Sequence, residues 1–283
     1  MIRFIILFGY AYLFLHLHLS GDISKYINMR YGYLTFSMIF IVGLMAVYQA
    51  VQWNLEAGHP HDHNKHRDLF GHDHSSEDNT WWKKLITYSL LIFPLLTGLF
   101  LPVATLDSHI VKAKGFHFAE LDNDHDQYAN HQILRPNTSQ YYESSTYKQM
   151  LHSDMIKYSR TNSLYLDDQN YLRALEAIYN YPGNFENKQI SMMGFVYHGD
   201  ALEKNQLFLF RFGIIHCIAD AGVFGMMAQF PHNVHYSDDT WIRVSGSLNE
   251  TYYQPFKQTI PYLKVTHWTI VSKPKSPYTY RQY

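Results

Sequence analysis

Three uncharged runs near the start of the chain constrain its fold more than anything else in the sequence. Residues 4–21 read FIILFGYAYLFLHLHLSG, with Arg3 before them and Asp22 after. Residues 31–55 carry the apolar core LTFSMIFIVGLMAVYQAVQW between Arg30 and Glu56, and residues 85–106 read LITYSLLIFPLLTGLFLPVATL after Lys83 and Lys84. Each is close to the ~20 residues that a helical bilayer crossing needs. The reading is therefore three membrane helices, at about 4–21, 33–54 and 85–104. A cleaved signal peptide is the rival reading for the first run. Its long apolar core, with His16, His18 and Ser20 where a cleavage site wants small residues, favours an uncleaved helix. Tyr31, Tyr33 and Trp53 lie near the ends of the second run, where aromatic belts form. Pro94 predicts a kink in the third and Pro102 its end.

Loop charges set the expected orientation. Arg3, Lys65, Arg67, Lys83 and Lys84 fall on one side, against Lys25 and Arg30 on the other. The positive-inside rule then places the amino terminus and the second loop in the cytoplasm. Everything after about residue 106 is expected outside, in a multi-pass protein of the cell membrane.

The second loop holds the densest chemistry. Residues 59–74, HPHDHNKHRDLFGHDH, contain His59, His61, His63, His66, His72 and His74 among Asp62, Asp68 and Asp73. The chain has 18 histidines, and a third of them sit in these few residues. Neutral imidazole ligates Zn2+, Ni2+, Co2+ and Cu2+, and His-x-His spacing in an open loop can bring several rings to one ion. Nothing in the spacing is a closed structural site or an H-E-x-x-H helix. The expectation is modest binding of a divalent transition metal, zinc foremost, that weakens as pH falls toward ~6. The opposing reading is a polar loop that only solubilises a membrane hairpin.

After residue 106 the periodicities change. Residues 107–165 read as a linker or irregular segment, with DSHIVKAKGFHF a possible strand start. Asp167 or Asp168 can cap a helix to about Tyr181, with Leu172, Leu175, Ile178 and Tyr179 on one face and Pro182-Gly183 as its stop. From about Asn187 the period is two: QISMMGFVY, QLFLFRFGI, VFGMMAQF, WIRVSGSL and YLKVTHWTIV are five strand-like runs. Phe208, Phe210 and Phe212 share one face and form a core. Residues 166–283 are thus expected to be a helix plus a small five-stranded OB-like barrel. The fold class is a membrane α-helical N-terminal region followed by a mainly-β domain.

Residues 210–227, FRFGIIHCIADAGVFGMM, resemble the R-F-x-I-x-C-C-x-A-D-A-x-x-x-G segment of the YcgQ-like two-component permease subunit family of bacteria. GFVYHGD, WIRVSG and the closing Pro274, Pro277 and Tyr278 are similar to its neighbouring blocks, and the helices with a His-rich loop between them fit as well. The resemblance spans nearly the whole chain. It implies a membrane-anchored subunit with an OB-like C-terminal domain and a polytopic permease-like membrane partner. One departure matters: the family's paired cysteines are His216 and Cys217 here. A disulfide is then excluded, because Cys217 is the chain's single cysteine, while a metal role survives.

His216, Cys217 and Asp220 are accordingly a second candidate metal or ligand site, with His198 and His232 as further candidates. The opposing reading has Cys217 filling a small core space and Asp220 capping a turn. No G-x-S-x-G, P-loop or G-x-G-x-x-G appears, so no enzyme is expected. Net charge is −1, which argues against nucleic acid. The leading expectation is an accessory permease subunit handling or sensing a divalent transition metal. The alternatives are a structural assembly subunit without substrate contact, or a membrane-bound enzyme or redox protein using Cys217.

Overall fold

The computed structural model describes residues 2–57, 81–103, 105–114, 142–199 and 202–281. They divide into two compact units, Met1–Ala104 and Thr105–Tyr283.

The first unit is built from α1 (Ile2–Ser20), α2 (Gly32–Ala57) and α3 (Trp81–Phe100). All three are long and apolar enough to cross a bilayer. Their outward faces stay apolar and exposed, with Phe8, Leu44, Leu90 and Phe93 among the most exposed side chains, as a lipid-facing helix requires. The third helix begins at Trp81 and ends at Phe100, each four residues before the sequence expectation. Its end follows from Pro102, which disfavours helical geometry at Leu101.

Without water to drive apolar association, such helices hold together by close packing and hydrogen bonds. α1 supplies both. A Cβ added at Gly9 would stand 2.4 Å from Leu95 Cδ1, so the missing side chain lets α3 approach. The Tyr10 hydroxyl donates to the Leu91 carbonyl at 2.7 Å. His18 Nε2 meets Thr35 Oγ1 of α2 at 2.9 Å, which gives this histidine a packing role. His16 stacks on Tyr12.

The second unit holds α4 (Ser108–Lys114), α5 (Ser144–Ser159), β1 (Ser163–Tyr165), α6 (Tyr171–Asn180) and strands β2 (Gln189–Tyr197), β3 (Gln206–Ile214), β4 (Gly222–Gln229), β5 (Trp241–Tyr253), β6 (Gln258–Ile270) and β7 (Tyr278–Tyr280). The segment expected to be irregular therefore contains two helices and a strand, and SHIVKAK forms a helix where a strand start was expected. Contacts explain α5: Leu151, Asp154 and Tyr158 are buried although its apolar pattern is weak.

The five strand-like runs become β2 to β6, but the sheet has seven strands rather than five, in the order β1-β2-β5-β6-β4-β3-β7. β1 and β7 add in parallel to β2 and β3. They are three residues long and carry no alternation long enough to read. β2 also pairs antiparallel with β3, and β4 with β6 is parallel, so the five long strands follow one another around a cycle.

Both faces of this sheet are covered. One cluster takes Ile190, Leu207, Leu209, Met226, Val244, Leu263 and the apolar face of α6. The other takes Phe208, Phe210 and Phe212 with Phe195, Trp241, Tyr278 and Val111 of α4. The phenylalanine face is thus core, as its spacing predicts. Burying each such ring contributes roughly 1.5–3 kcal/mol.

Helix α6 starts one residue after Asn170. Asp167 accepts the backbone N–H groups of Gln169 and Asn170, both at 2.9 Å, and shapes the entry turn. Asp168 turns elsewhere, to Arg211. At the far side, Tyr171 and Tyr179 donate to the carbonyls of Phe224 and Gly225 and bolt α6 to β4. Burial pushes both hydroxyls well above the ordinary tyrosine pKa, so they act as neutral donors.

Candidate functional site

The segment 210–227 forms the end of β3, a tight connection, and β4. Gly213 pairs with Gly222 as the last register pair between β3 and β4, and residues 215–221 form the connection after β3 ends at Ile214. Asp220 organises it. Its carboxylate accepts the backbone N–H of Ile215 at 3.1 Å, of His216 at 2.9 Å and of Cys217 at 3.3 Å, and lies 2.9 Å from His216 Nδ1. The Cys217 side chain in turn accepts the Asp220 N–H, completing a capping box around the short helical turn Ile218–Asp220.

This bears directly on the candidate metal trio. His216 and Asp220 are brought together, and the extended backbone at Cys217 (φ −148°, ψ 172°) sends neighbouring side chains to opposite sides. Among the described residues no group of three or more His, Cys, Asp or Glu side chains is placed to hold a metal. His198 pairs instead with Asp238 at 2.7 Å. His232 lies against the Trp268 ring. Cys217 is half-buried, not sealed in the core. His59, His61, His63, His66, His72 and His74 all lie outside the described residues.

Replacing Asp220 by Ala removes the acceptor for three backbone donors on a half-buried turn. The expected loss is about 2 kcal/mol, with faster amide exchange at residues 215–217. His216→Ala is expected to cost well under half of that. Thermal denaturation with hydrogen exchange checks both.

Charge inside the domain marks residues that the sequence reading passed over. Arg211 is 1% exposed. It donates to Asp168 at 2.5 Å and to the Tyr278 carbonyl at 3.4 Å, and lies over the rings of Tyr171 and Trp241. Its signal was visible: a lone cation inside LFLFRFG must find a partner or leave the core. Glu176 of α6 and Arg281 form an ion pair in which both side chains are 2% exposed. Tyr147 donates to the carboxylate, and the Arg281 Nε donates to Tyr142. Burial works against the Arg281 charge, but Glu176 and the Tyr142 hydroxyl outweigh it and raise its pKa above the usual arginine value. Asp154 of α5 holds Arg173 of α6 in the same way and likewise raises its pKa.

One cleft of about 360 Å³ opens on the outer phenylalanine face, walled by Phe195, Phe212 and Trp241. Its polar rim is already engaged: Asp239 accepts from Ser108 at 2.6 Å, and Lys273 donates to Thr105 at 2.8 Å.

Residues 2–117 match the DUF1980 N-terminal domain, and residues 141–281 match the DUF1980 C-terminal domain. The chain belongs to the DUF1980 family. Two relatives extend over the full length. The UPF0703 protein YcgQ of Bacillus subtilis (strain 168) is 44% identical over 284 residues, covering 99% of both chains. A Streptococcus mutans protein named "Putative two-component membrane permease complex subunit" is 37% identical over 286 residues, again covering 99% of both. The resemblance read from residues 210–227 is therefore a family relationship across the whole chain. In DUF1980 terms, the Asp220 turn and Arg211 lie in the C-terminal domain, and the three apolar helices lie in the N-terminal one. The protein is membrane-associated.

Proposed function

We propose that this protein is the accessory membrane subunit of a permease complex, with a polytopic membrane protein as its partner. The observation that carries the reading is the full-length relationship to the Streptococcus mutans protein named as a subunit of a two-component membrane permease complex. The architecture supports it. Three apolar helices anchor the chain, and three are few for a pathway of their own. The cyclic order of β2 to β6 supports an OB-like barrel, and the reading makes that domain an interaction module, on the extracytoplasmic side by the loop-charge argument alone. The reading assigns the chain no catalysis.

In its finer form, the reading gives residues 59–74 the task of collecting a divalent transition metal, zinc foremost, for that complex. Calorimetric titration of the purified protein with zinc tests this part. The wild type is expected to bind several ions, and a variant with the six loop histidines replaced by Ser is expected to lose at least tenfold in affinity. Equal binding by the two removes the collecting role. The complex itself is tested by affinity purification from native membranes, where a polytopic membrane protein should co-purify in fixed proportion. Recovery of the chain alone overturns the reading.

A second reading makes the chain an assembly subunit that does not touch substrate. The engagement of Asp220 in backbone hydrogen bonds favours it for the C-terminal domain, because that carboxylate already serves the turn. It expects the six-Ser variant to support the complex fully.

A further inference from the structure

Helix α5 sorts its charges by sign. Its one carboxylate, Asp154, is 2% exposed and holds Arg173 of α6. Leu151 and Tyr158 are buried on the same side. Gln149, His152, Ser153, Ile156, Lys157 and Arg160 lie on the other side, against a concavity of about 400 Å³. Their spacing of three and four residues makes one stripe along a helix. Lys148, four residues before His152, is exposed at the edge of that stripe.

These cations are not spent on the fold. Among the described residues, Lys148, His152 and Arg160 enter no hydrogen bond or ion pair. Lys157 lies over the ring of its neighbour Tyr158, 5.2 Å from the centroid. Glu143 precedes the helix, so no carboxylate interrupts the stripe. In its middle Ile156 stays 39% exposed.

Charge and reach together choose what such a face meets. A basic helix face around an exposed aliphatic side chain matches an anionic lipid surface, where cations meet phosphates and the aliphatic group enters the headgroup boundary. Reach makes that surface permanent. Only residues 101–104 separate the end of α3 at Phe100 from the second unit, which begins at Thr105. So short a segment extends at most roughly 15 Å. The bilayer that α3 crosses is therefore held near the domain at an effective concentration that a free macromolecule does not match.

We propose that the outer face of α5 docks the C-terminal unit on the anionic phospholipid surface of the membrane in which the chain is anchored. Lys148, Lys157 and Arg160 supply the attraction, with His152 between them. Docked this way, the β-rich domain keeps one orientation to the bilayer instead of turning on its short tether. The proposal rests on the membrane anchor and is independent of the permease reading.

The test uses the full chain in nanodiscs of phosphatidylcholine, with and without phosphatidylglycerol, and follows acetylation of each lysine by mass spectrometry. With phosphatidylglycerol, Lys148 and Lys157 should react at least ~5-fold more slowly, the scale of one basic residue's attraction to a charged surface. Lys204, exposed between β2 and β3, is the internal reference and should not change. Salt at 1 M, where the Debye length is about 3 Å, should abolish the protection. His152→Gln with Arg160→Gln leaves both lysines and the buried face in place and should lose most of the protection. Arg160→Lys alone should keep it. Equal rates in the two discs, equal slowing of Lys204, or full protection in the double variant overturns the proposal. Protection by millimolar inorganic phosphate in phosphatidylcholine discs would make the face a free-anion site, and protection confined to native membranes would make it a protein contact; either result also overturns it.

Discussion

Replacing Arg281 by Leu is expected to destabilise the C-terminal unit by about 3–5 kcal/mol. The reason is asymmetry. Glu176 and Arg281 are each 2% exposed, so neither can recover water when the other is removed. The carboxylate would remain in the interior without its cation, with the Tyr147 hydroxyl still donating to it. Arg281 also gives its backbone N–H to the Ile214 carbonyl at 3.2 Å, which a leucine retains, so the side-chain term is isolated. For a unit of this size the midpoint of thermal unfolding should fall by about 10 °C. The double variant Glu176→Leu with Arg281→Leu should recover part of the loss, because a buried pair replaced by apolar groups no longer strands a charge. Recovery should stay partial, since Tyr147 and Tyr142 would each lose a hydrogen bond. Arg281→Leu within 1 kcal/mol of wild type, roughly the cost of an ordinary hydrogen bond, would mean that the pair is not held in a dry interior.

The second large effect belongs to Gly225. A Cβ added there would stand 1.8 Å from the Leu209 carbonyl oxygen and 2.6 Å from Phe210 Cδ1. The obstacle is backbone of the neighbouring strand, so no rotamer change relieves it. Gly225→Ala must push β4 away from β3 at the point where Phe210 pairs with Gly225 and Leu209 with Met226. The same movement pulls the Gly225 carbonyl from the Tyr179 hydroxyl, now 2.8 Å away and fully buried. Overpacking and a stranded hydroxyl together are expected to cost about 3 kcal/mol or more. Tyr179→Phe is the control: it removes the hydroxyl bond alone and should cost only about 1–2 kcal/mol. Urea denaturation of both variants separates the terms, and a Gly225→Ala protein as stable as Tyr179→Phe would refute the strand-contact argument.

These two positions show where sequence reading reaches and where it stops. The β strands were legible because short runs rich in apolar and aromatic residues stand between turn-forming segments, and QISMMGFVY and QLFLFRFGI match β2 and β3 residue for residue. The membrane helices were legible because lipid permits only long apolar runs. Asp220 was named from its motif, yet a capping carboxylate and a metal-ligating one look the same in a string of letters. Only the tertiary structure shows the turn, with three backbone N–H groups aimed at that carboxylate.

What remained hidden depends on distance along the chain. Glu176 and Arg281 are 105 residues apart, and Arg211 and Asp168 are 43 apart. Nothing local in either member announces its partner. The short strands β1 and β7 exist because longer strands offer them an edge. His152, Lys157 and Arg160 fall in a segment read as a linker, and only the burial of Leu151, Asp154 and Tyr158 puts them on one outer helix face. Sequence alone determined where the chain is apolar, at what period, and thus its division into membrane helices and a β-rich domain. The tertiary structure decided which charges meet, since a periodicity is a property of neighbours and an ion pair is a property of the fold.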